Sequence, residues 1–307
     1  MNRYIILMKN SFISIRVFPY FRYLIVQLPF FALLIYHNVI HEDLKLILYV
    51  IPFIISYAMG FIYNTICDAS KDPKDKNPIT RGDLPKKIAT ALLIILLFLA
   101  LISFALIYKS MMAILLSFLY LFIWLAYSGI NVRFKESFFA PIVASIVLWV
   151  GAPLILLAEF NYFGLDAVLL LVGFFIIYIG HEIKHTVIEY VMDKKYNCQT
   201  FAVKLGRKFS TIIEYLCICI GYIFLLSSLY VLSISYKNEY TLMFTILFAL
   251  ALALTIIYGY LEKFNIIKDT IFVTSPYIVA KIYIIFYTFV ILNLPLLYIV
   301  FIILICL

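Results

Sequence analysis

LILYVIPFIISYAMGFIYNTICDASKD, residues 46–72, joins an apolar run of about twenty residues to a polar, acidic end. A helical run of this length matches the thickness of a bilayer. Asn64, Asp68 and Asp72 follow one another at intervals of four residues, so a continuous helix would place all three on one face. Carboxylates at membrane depth are unfavourable and usually functional. The stretch therefore predicts a membrane-spanning helix whose end carries an acidic site.

The composition of the whole chain is typical of a polytopic membrane protein. Hydrophobic residues make up 66% of the 307 residues and charged residues 13%. The mean hydropathy is +1.09, whereas soluble domains are about half apolar. We therefore predict an all-α integral membrane protein that forms one domain over residues 1–307. It has an interfacial lead-in over residues 1–19 and nine spans, at approximately residues 20–39, 46–67, 86–108, 111–129, 138–158, 164–184, 209–235, 240–261 and 277–305.

A second group of carboxylates, Glu182, Glu189 and Asp193, closes the sixth predicted span. Their spacings of seven and four residues again return to one helical face. Mg²⁺ prefers oxygen ligands and usually takes one or two carboxylates together with phosphate oxygens. Two acidic helix ends therefore suggest a site for Mg²⁺ and a phosphorylated ligand. Basic residues that could contact its phosphates follow the spans on the same side: Lys71, Arg81, Arg133 and Lys135.

Lysine and arginine residues are distributed unevenly between the loops. The N-terminal segment and every second loop after it hold 20 of the 24 Lys and Arg residues, while the alternate loops hold three. Cytoplasmic loops carry such an excess. The sequence therefore predicts a cytoplasmic N-terminus, both acidic clusters on the cytoplasmic side, and an outside C-terminus. The net charge of +8 reflects this topology and a local anionic ligand, and it does not indicate nucleic-acid binding.

The acidic and basic residues form motifs that resemble the UbiA superfamily of intramembrane prenyltransferases. The matching stretches, in chain order, are Asn64-x3-Asp68-x3-Asp72, Asn77-Pro78, Arg81-Gly82, Tyr127-Ser128, Arg133-x-Lys135, Glu182, Glu189-x3-Asp193 and Thr200-Phe-Ala-Val-Lys-Leu205-Gly206. The resemblance covers the chain from about residue 60 to residue 210 and agrees with the nine predicted spans.

This resemblance implies helices around a central apolar cavity and transfer of a prenyl group from its diphosphate to an aromatic or lipid acceptor. It implies a prenyl diphosphate, a hydrophobic acceptor and the lipid bilayer as partners, while no protein partner follows from it. The Mg²⁺ ligands would be Asn64, Asp68, Asp72, Glu189 and Asp193, of which the four carboxylates form the catalytic group. The diphosphate would be bound by Lys71, Arg81, Arg133 and Lys135.

Several positions depart from the pattern of the superfamily. Thr65 stands where members often have Asp, and Glu189 stands where Asp is usual, although the longer carboxylate can still bind a metal. Thr186 replaces a common Asp, and the adjacent His185 is either a general base or a structural hydrogen-bonding residue. Asn197 replaces a frequent Gly, which is tolerated if that residue has a left-handed backbone. The first three changes concern acceptor activation more than diphosphate binding.

Two other functions fit parts of the same pattern. Within the fold, the chain could be a membrane terpene cyclase or another polyprenyl-phosphate transferase, with His185 and Thr186 reflecting altered chemistry. A different class is a transporter of an anionic lipid or metabolite, with the basic loops as a vestibule. The sequence shows no midplane charge or inverted repeat of the kind that transporters use. Release of diphosphate distinguishes the enzyme from the transporter.

Overall fold

The computed structural model describes residues 25–40, 48–72, 74, 77–129 and 133–236. Every regular element within these ranges is helical, which confirms the predicted all-α class. The helices, in chain order, are α1 (Leu28–Tyr36), α2 (Ile51–Asp68), α3 (Pro78–Arg81), α4 (Lys86–Ile107), α5 (Met111–Ser128), α6 (Ala140–Ser145), α7 (Gly151–Glu159), α8 (Leu165–Lys195), α9 (Phe201–Leu205) and α10 (Arg207–Tyr236).

Six helical segments among the described residues are long and apolar enough to cross a membrane. They are Leu48–Asp68, Lys86–Ile107, Met111–Ser128, Ala140–Glu159, Leu165–Lys195 and Arg207–Leu232. These segments correspond to six of the nine predicted spans. The predicted span at 20–39 overlaps the shorter helix α1. The predicted lead-in at 1–19 and the predicted spans at 240–261 and 277–305 lie outside the described residues, so the count of nine stays a prediction.

Helix α8 is longer than the apolar span predicted for it, because it continues past residue 184 to Lys195. Polar residues end an apolar run, but a helix ends only where the backbone changes conformation. Here Asn197 adopts a positive φ of 56°, and a left-handed residue is a common stop after a helix. The structure thus has the left-handed backbone expected at Asn197. The additional turns keep Glu189 and Asp193 on the helix.

Glycines let the two longest helices, α8 and α10, approach closely. A Cβ atom at Gly173 of α8 would lie 2.6 Å from Leu225 and 3.0 Å from the carbonyl of Gly221 on α10. A Cβ atom at Gly221 would in turn lie 2.8 Å from the carbonyl of Gly173. Small residues at helix contacts are the usual means of close packing in membranes. This pair forms one side of the bundle, against which α1 packs through Phe30.

A π-helical segment, Ile146–Val150, joins α6 to α7 within the fifth predicted span. The hydroxyl of Tyr120 donates to the carbonyl of Val147 at 2.8 Å, and Tyr57 donates to the carbonyl of Leu148 at 3.0 Å. Side chains that insert in this way disturb the regular helical hydrogen bonding. The segment also carries Trp149, which it directs toward α8.

Candidate active site

The first acidic motif lies at the end of α2. Asn64 and Asp68 lie on the last turn of the helix, as predicted. Asp72 lies in the turn that follows, where its amide still donates to the carbonyl of Asp68 at 2.8 Å. Its carboxylate accepts a hydrogen bond from the Asn77 side chain at 3.0 Å, and the same amide group donates to the carbonyl of Thr65 at 2.9 Å. Asn77 therefore folds the following loop back against α2.

The Asn77-Pro78 and Arg81-Gly82 pairs begin and end the one-turn helix α3. The Asn77 side chain accepts from the amide of Ile79 at 3.0 Å, a normal N-cap, and Pro78 occupies the first turn. Gly82 ends the helix with a φ of 87°, which favours glycine. The Arg81 guanidinium is exposed and pairs with the carboxylate of Asp83. The loop is thus a defined structure that presents Arg81 at its surface.

Two basic residues of the loop after α5 contact the first motif directly. The Lys135 ammonium lies 2.6 Å from Asn64 Oδ1 and 2.5 Å from both carboxylate oxygens of Asp68. The Arg133 guanidinium donates to Asp68 Oδ1 at 2.5 Å. The Ser128 hydroxyl donates to Asn64 Oδ1 at 2.9 Å. Burial lowers the pKa of Lys135, and the nearby Asp68 carboxylate opposes that shift.

The oxygens of Asn64 and Asp68 therefore converge on a single cationic position, which the Lys135 ammonium holds in this structure. All three donors are oxygen atoms, one from an amide and two from a carboxylate. Oxygen ligands of this type suit Mg²⁺ better than they suit softer metals. The residues present at the end of α2 therefore fit the predicted ion.

Glu136 was not singled out by the sequence analysis, yet it connects three segments that are distant in the chain. Its carboxylate accepts from the Lys71 ammonium at 2.8 and 2.9 Å, and its carbonyl accepts from the amide of Gln199 at 2.8 Å. Arg133 Nε lies 2.9 Å from the same carboxylate, although the bond angle there does not make a hydrogen bond. An acid between the basic residues of this short loop was the available signal.

Asp193 of the second motif is fixed at the end of α8. Its carboxylate accepts from the Thr200 hydroxyl at 2.8 Å, and its carbonyl accepts from the amide of Cys198 at 2.9 Å. The segment after α8 also approaches the first motif, because the hydroxyl of Tyr196 lies 3.5 Å from the carbonyl of Lys71. Glu136 and Tyr196 thus bring the ends of the two acidic motifs to one end of the bundle.

The remaining acidic residues of α8 occupy different environments. Glu189 is exposed, one turn before Asp193. Glu182 is buried deeper in the bundle, where it accepts a hydrogen bond from Trp149 Nε1 at 3.2 Å. Common helical spacing placed Glu182, Glu189 and Asp193 on one face, but their burial differs because α8 extends out of the packed bundle toward its C-terminal end. His185 is exposed, and its Nε2 lies 3.2 Å from the Nε2 of His181.

Comparison with known proteins agrees with this architecture. The structure resembles that of a UbiA homolog from Archaeoglobus fulgidus bound to GPP and Mg²⁺, with a TM-score of 0.65 at 18% identity over 93% of this chain and 100% of that one. A second structure, of digeranylgeranylglyceryl phosphate synthase, gives a TM-score of 0.59 at 16% identity over 94% of this chain and 99% of that one. Curated proteins gave no match.

The sequence itself matches a family model. The model of the UbiA prenyltransferase family aligns with residues 26–275. That range contains all the acidic and basic residues described above and most of the chain. This chain belongs to the UbiA prenyltransferase family and is an enzyme that transfers prenyl groups.

Proposed function

We propose that the enzyme uses Mg²⁺ to transfer a prenyl group from a prenyl diphosphate to an aromatic or lipid acceptor in the membrane. The observation that carries the proposal is the convergence of Asn64 and Asp68 oxygens on one cationic position, beside Arg133 and Lys135. Structures of the archaeal homolog include complexes with GPP and Mg²⁺ and with DMAPP and Mg²⁺. We extend this substrate class to the present chain.

The proposed metal ligands are those that the sequence motifs suggest: Asn64, Asp68, Asp72, Glu189 and Asp193. When bound, Mg²⁺ neutralises the charge on the diphosphate as that group leaves. The diphosphate ligands are Lys71, Arg81, Arg133 and Lys135. In the described structure, three of these cations pair with carboxylates that lie next to the proposed diphosphate position. Each can exchange a carboxylate oxygen for a phosphate oxygen, so positive charge is already present where the substrate binds.

The transfer itself breaks the bond between C1 of the prenyl chain and the diphosphate oxygen. The electron pair of that bond goes to the diphosphate, and the allylic carbon becomes electron-deficient. Arg81, Arg133 and Lys135 bind the departing oxygens through charge-assisted hydrogen bonds, which strengthen as negative charge develops. A nucleophilic atom of the acceptor then bonds to C1 and loses its proton. The prenyl tail lies in an apolar cavity between the helices.

A diphosphate-release assay with the purified enzyme in detergent tests this proposal. The assay contains GPP, Mg²⁺ and an aromatic surrogate acceptor, and it compares the wild-type enzyme with Asp68→Asn. We expect Asp68→Asn to lower the rate of diphosphate release by about 10²–10³, because the site loses a charged ligand. Asp75→Asn, the same chemical change at a carboxylate outside the proposed set, is the matched control and retains the wild-type rate.

Two further measurements make the result interpretable. Size-exclusion elution and thermal unfolding show whether Asp68→Asn folds like the wild-type enzyme. Mass spectrometry of the organic product separates a prenylated acceptor from a cyclised hydrocarbon, the product of a terpene cyclase. Wild-type turnover by a folded Asp68→Asn variant would show that Asp68 is not a metal ligand. A wild-type enzyme that releases no diphosphate would contradict the reaction as proposed.

A further inference from the structure

One cluster of metal-ligating side chains lies outside the proposed Mg²⁺ site. The sequence His181-Glu182-Ile-Lys-His185 lies within α8. The pattern His-Glu-x-x-His on a helix places two imidazoles one turn apart on the same face. The ligand atoms of His181, Glu182 and His185 all lie within 4.8 Å of one another. The proposed prenyl transfer uses none of these three side chains.

The distance between the two imidazoles matches the spacing of ligands on one ion. His181 Nε2 and His185 Nε2 lie 3.2 Å apart, and the ring planes are inclined at 88°. Zinc binds histidine nitrogen at about 2.0–2.1 Å in tetrahedral geometry. Two such bonds to nitrogens at this separation enclose an angle of about 100–106°, close to the tetrahedral value. The pair can therefore accept one ion without a change of helix geometry.

Neighbouring side chains fix two of the three ligands. Trp149 Nε1 donates to a carboxylate oxygen of Glu182 at 3.2 Å. Trp149 stacks on Tyr178 with ring centroids 3.9 Å apart, and both rings meet His181 edge-on, at centroid distances of 5.7 and 6.3 Å. Hydrogen bonds and packing of this kind orient ligands at metal sites. The Glu182 side chain is also buried, with 9% of its surface exposed, so a nearby cation would compensate its charge.

The chemistry of the donors separates this cluster from the proposed Mg²⁺ site. Imidazole nitrogens suit zinc, cobalt, nickel and copper, whereas Mg²⁺ is bound by oxygen ligands. His185 precedes Glu189 by one turn and Asp193 by two, so the cluster lies further into the bundle along α8. Eight residues of α-helix correspond to about 12 Å along the axis. An ion in the cluster would thus be distinct from one held by Asp193.

We propose that His181, Glu182 and His185 bind a divalent transition-metal ion of the zinc class at a second metal site. The two imidazoles and the carboxylate supply three ligands, and a tetrahedral ion keeps one further position for an oxygen ligand such as water. The exposed His185 gives access to that position. The proposal does not depend on prenyl transfer, because it concerns a different ion, different ligands and a property measured without substrate.

Metal titration of the purified full-length protein tests the site. The protein in detergent is first treated with a chelator and then titrated with Co²⁺ or Zn²⁺ in the presence of excess Mg²⁺. We expect one equivalent of bound metal by elemental mass spectrometry. We also expect the visible absorption of Co²⁺ in a low-coordinate site with nitrogen ligands. His185→Ala and His181→Ala should each weaken Co²⁺ binding by at least about tenfold, because changes to a metal's ligands have effects of this size or larger.

Matched variants make the outcome decisive. Ile188→Ala changes an exposed residue of the same helix that offers no ligand atom, and it should bind Co²⁺ like the wild-type protein. Asp68→Asn should also keep its Co²⁺ site, even where diphosphate release is lost. Three results would each overturn the proposal: no Co²⁺ absorption in the wild-type protein, unchanged Co²⁺ affinity in His185→Ala, or loss of the site in Asp68→Asn. The first two would indicate that the imidazoles form only a hydrogen bond with each other.

Discussion

At the residue scale, the ion pairs around the proposed diphosphate position differ in how readily they can rearrange. Lys71 and Glu136 are partly exposed, at 37% and 25% of their side-chain surface, and exposed ion pairs contribute about 0–1 kcal/mol. Asp68 and Lys135 are less exposed, at 13% and 15%. Lys71 can therefore leave Glu136 for a phosphate with little loss, whereas Lys135 needs a ligand of comparable charge.

Arg81 provides the residue-scale prediction. Its exposed guanidinium can bind phosphate oxygens in a bidentate manner, whereas lysine supplies the charge without the planar geometry. We expect Arg81→Ala to lower kcat/KM for prenyl diphosphate by about 10²–10³, or about 2–4 kcal/mol. We expect Arg81→Lys to retain part of the activity. Lys87→Ala removes the same charge from an exposed position in the next helix and should leave kcat/KM unchanged. A wild-type value for Arg81→Ala would remove Arg81 from the proposed site.

The helical spacing of Asn64 and Asp68 was enough to predict that they share one face and lie at a helix end. Spacing could not predict that Lys135 contacts both, because the path of a loop depends on contacts between distant segments. Glu136 was missed for the same reason, since its partners Lys71 and Gln199 are far from it in sequence. The sequence analysis weighed His185 by itself, and its contact with His181 required the structure.

At the element scale, the close contact between α8 and α10 holds one side of the bundle. Glycine at positions 173 and 221 lets the two backbones meet, because each missing side chain would lie within 3.0 Å of the other helix. Neighbouring Leu225 and Ile177 fill the space on either side of this contact. The atoms that a new side chain would meet include backbone carbonyls, which cannot move without the helix.

We therefore expect substitutions at Gly173 to destabilise the protein in proportion to their size. Overpacking of this kind is unfavourable by about 1–3 kcal/mol. Gly173→Ala should lower the Tm of the purified protein in detergent, and Gly173→Leu should lower it further. Val168→Leu enlarges a side chain on the exposed surface of the same helix and should leave the Tm unchanged. Equal Tm values for Gly173→Leu and Val168→Leu would contradict close packing at this position.

Helix positions were predicted well from hydropathy, while helix ends and irregular segments were not. The predicted spans 86–108 and 111–129 differ from α4 and α5 by one residue at one end. The π-helical segment at Ile146–Val150 escaped prediction, because the apolar pattern of the fifth span contains nothing that separates a π-helix from an α-helix. Its cause lies in the hydroxyls of Tyr57 and Tyr120 on other helices.

At the scale of the whole molecule, the distribution of basic residues predicts how the protein lies in the membrane. Both acidic motifs and their basic loops lie at one end of the helices described above, joined by Glu136. The bias of 20 of 24 Lys and Arg residues to one set of loops favours a cytoplasmic position for that end. The substrate would then reach the site from the cytoplasm.

Cysteine-accessibility labelling tests this orientation. Lys74→Cys lies in the loop after α2, and Glu239→Cys lies beyond the described residues, in the loop between the seventh and eighth predicted spans. We expect a membrane-impermeant reagent added outside intact cells to label Glu239→Cys but not Lys74→Cys. Both variants should react after the membrane is permeabilised. Labelling of the two positions from the same side would contradict the predicted topology.

The π-helical segment makes the chain sensitive to changes of length within one span. A helix advances by about 100° per residue, so deletion of a single residue that restores α-helical winding would rotate everything after it by about that angle. Glu159 at the end of α7 now accepts from the amides of Lys109 and Ser110 at about 3 Å. Such a deletion would leave the span long enough for the bilayer, yet it would turn this carboxylate away from the start of α5. The extra residue therefore sets the angular register of the helix that follows it.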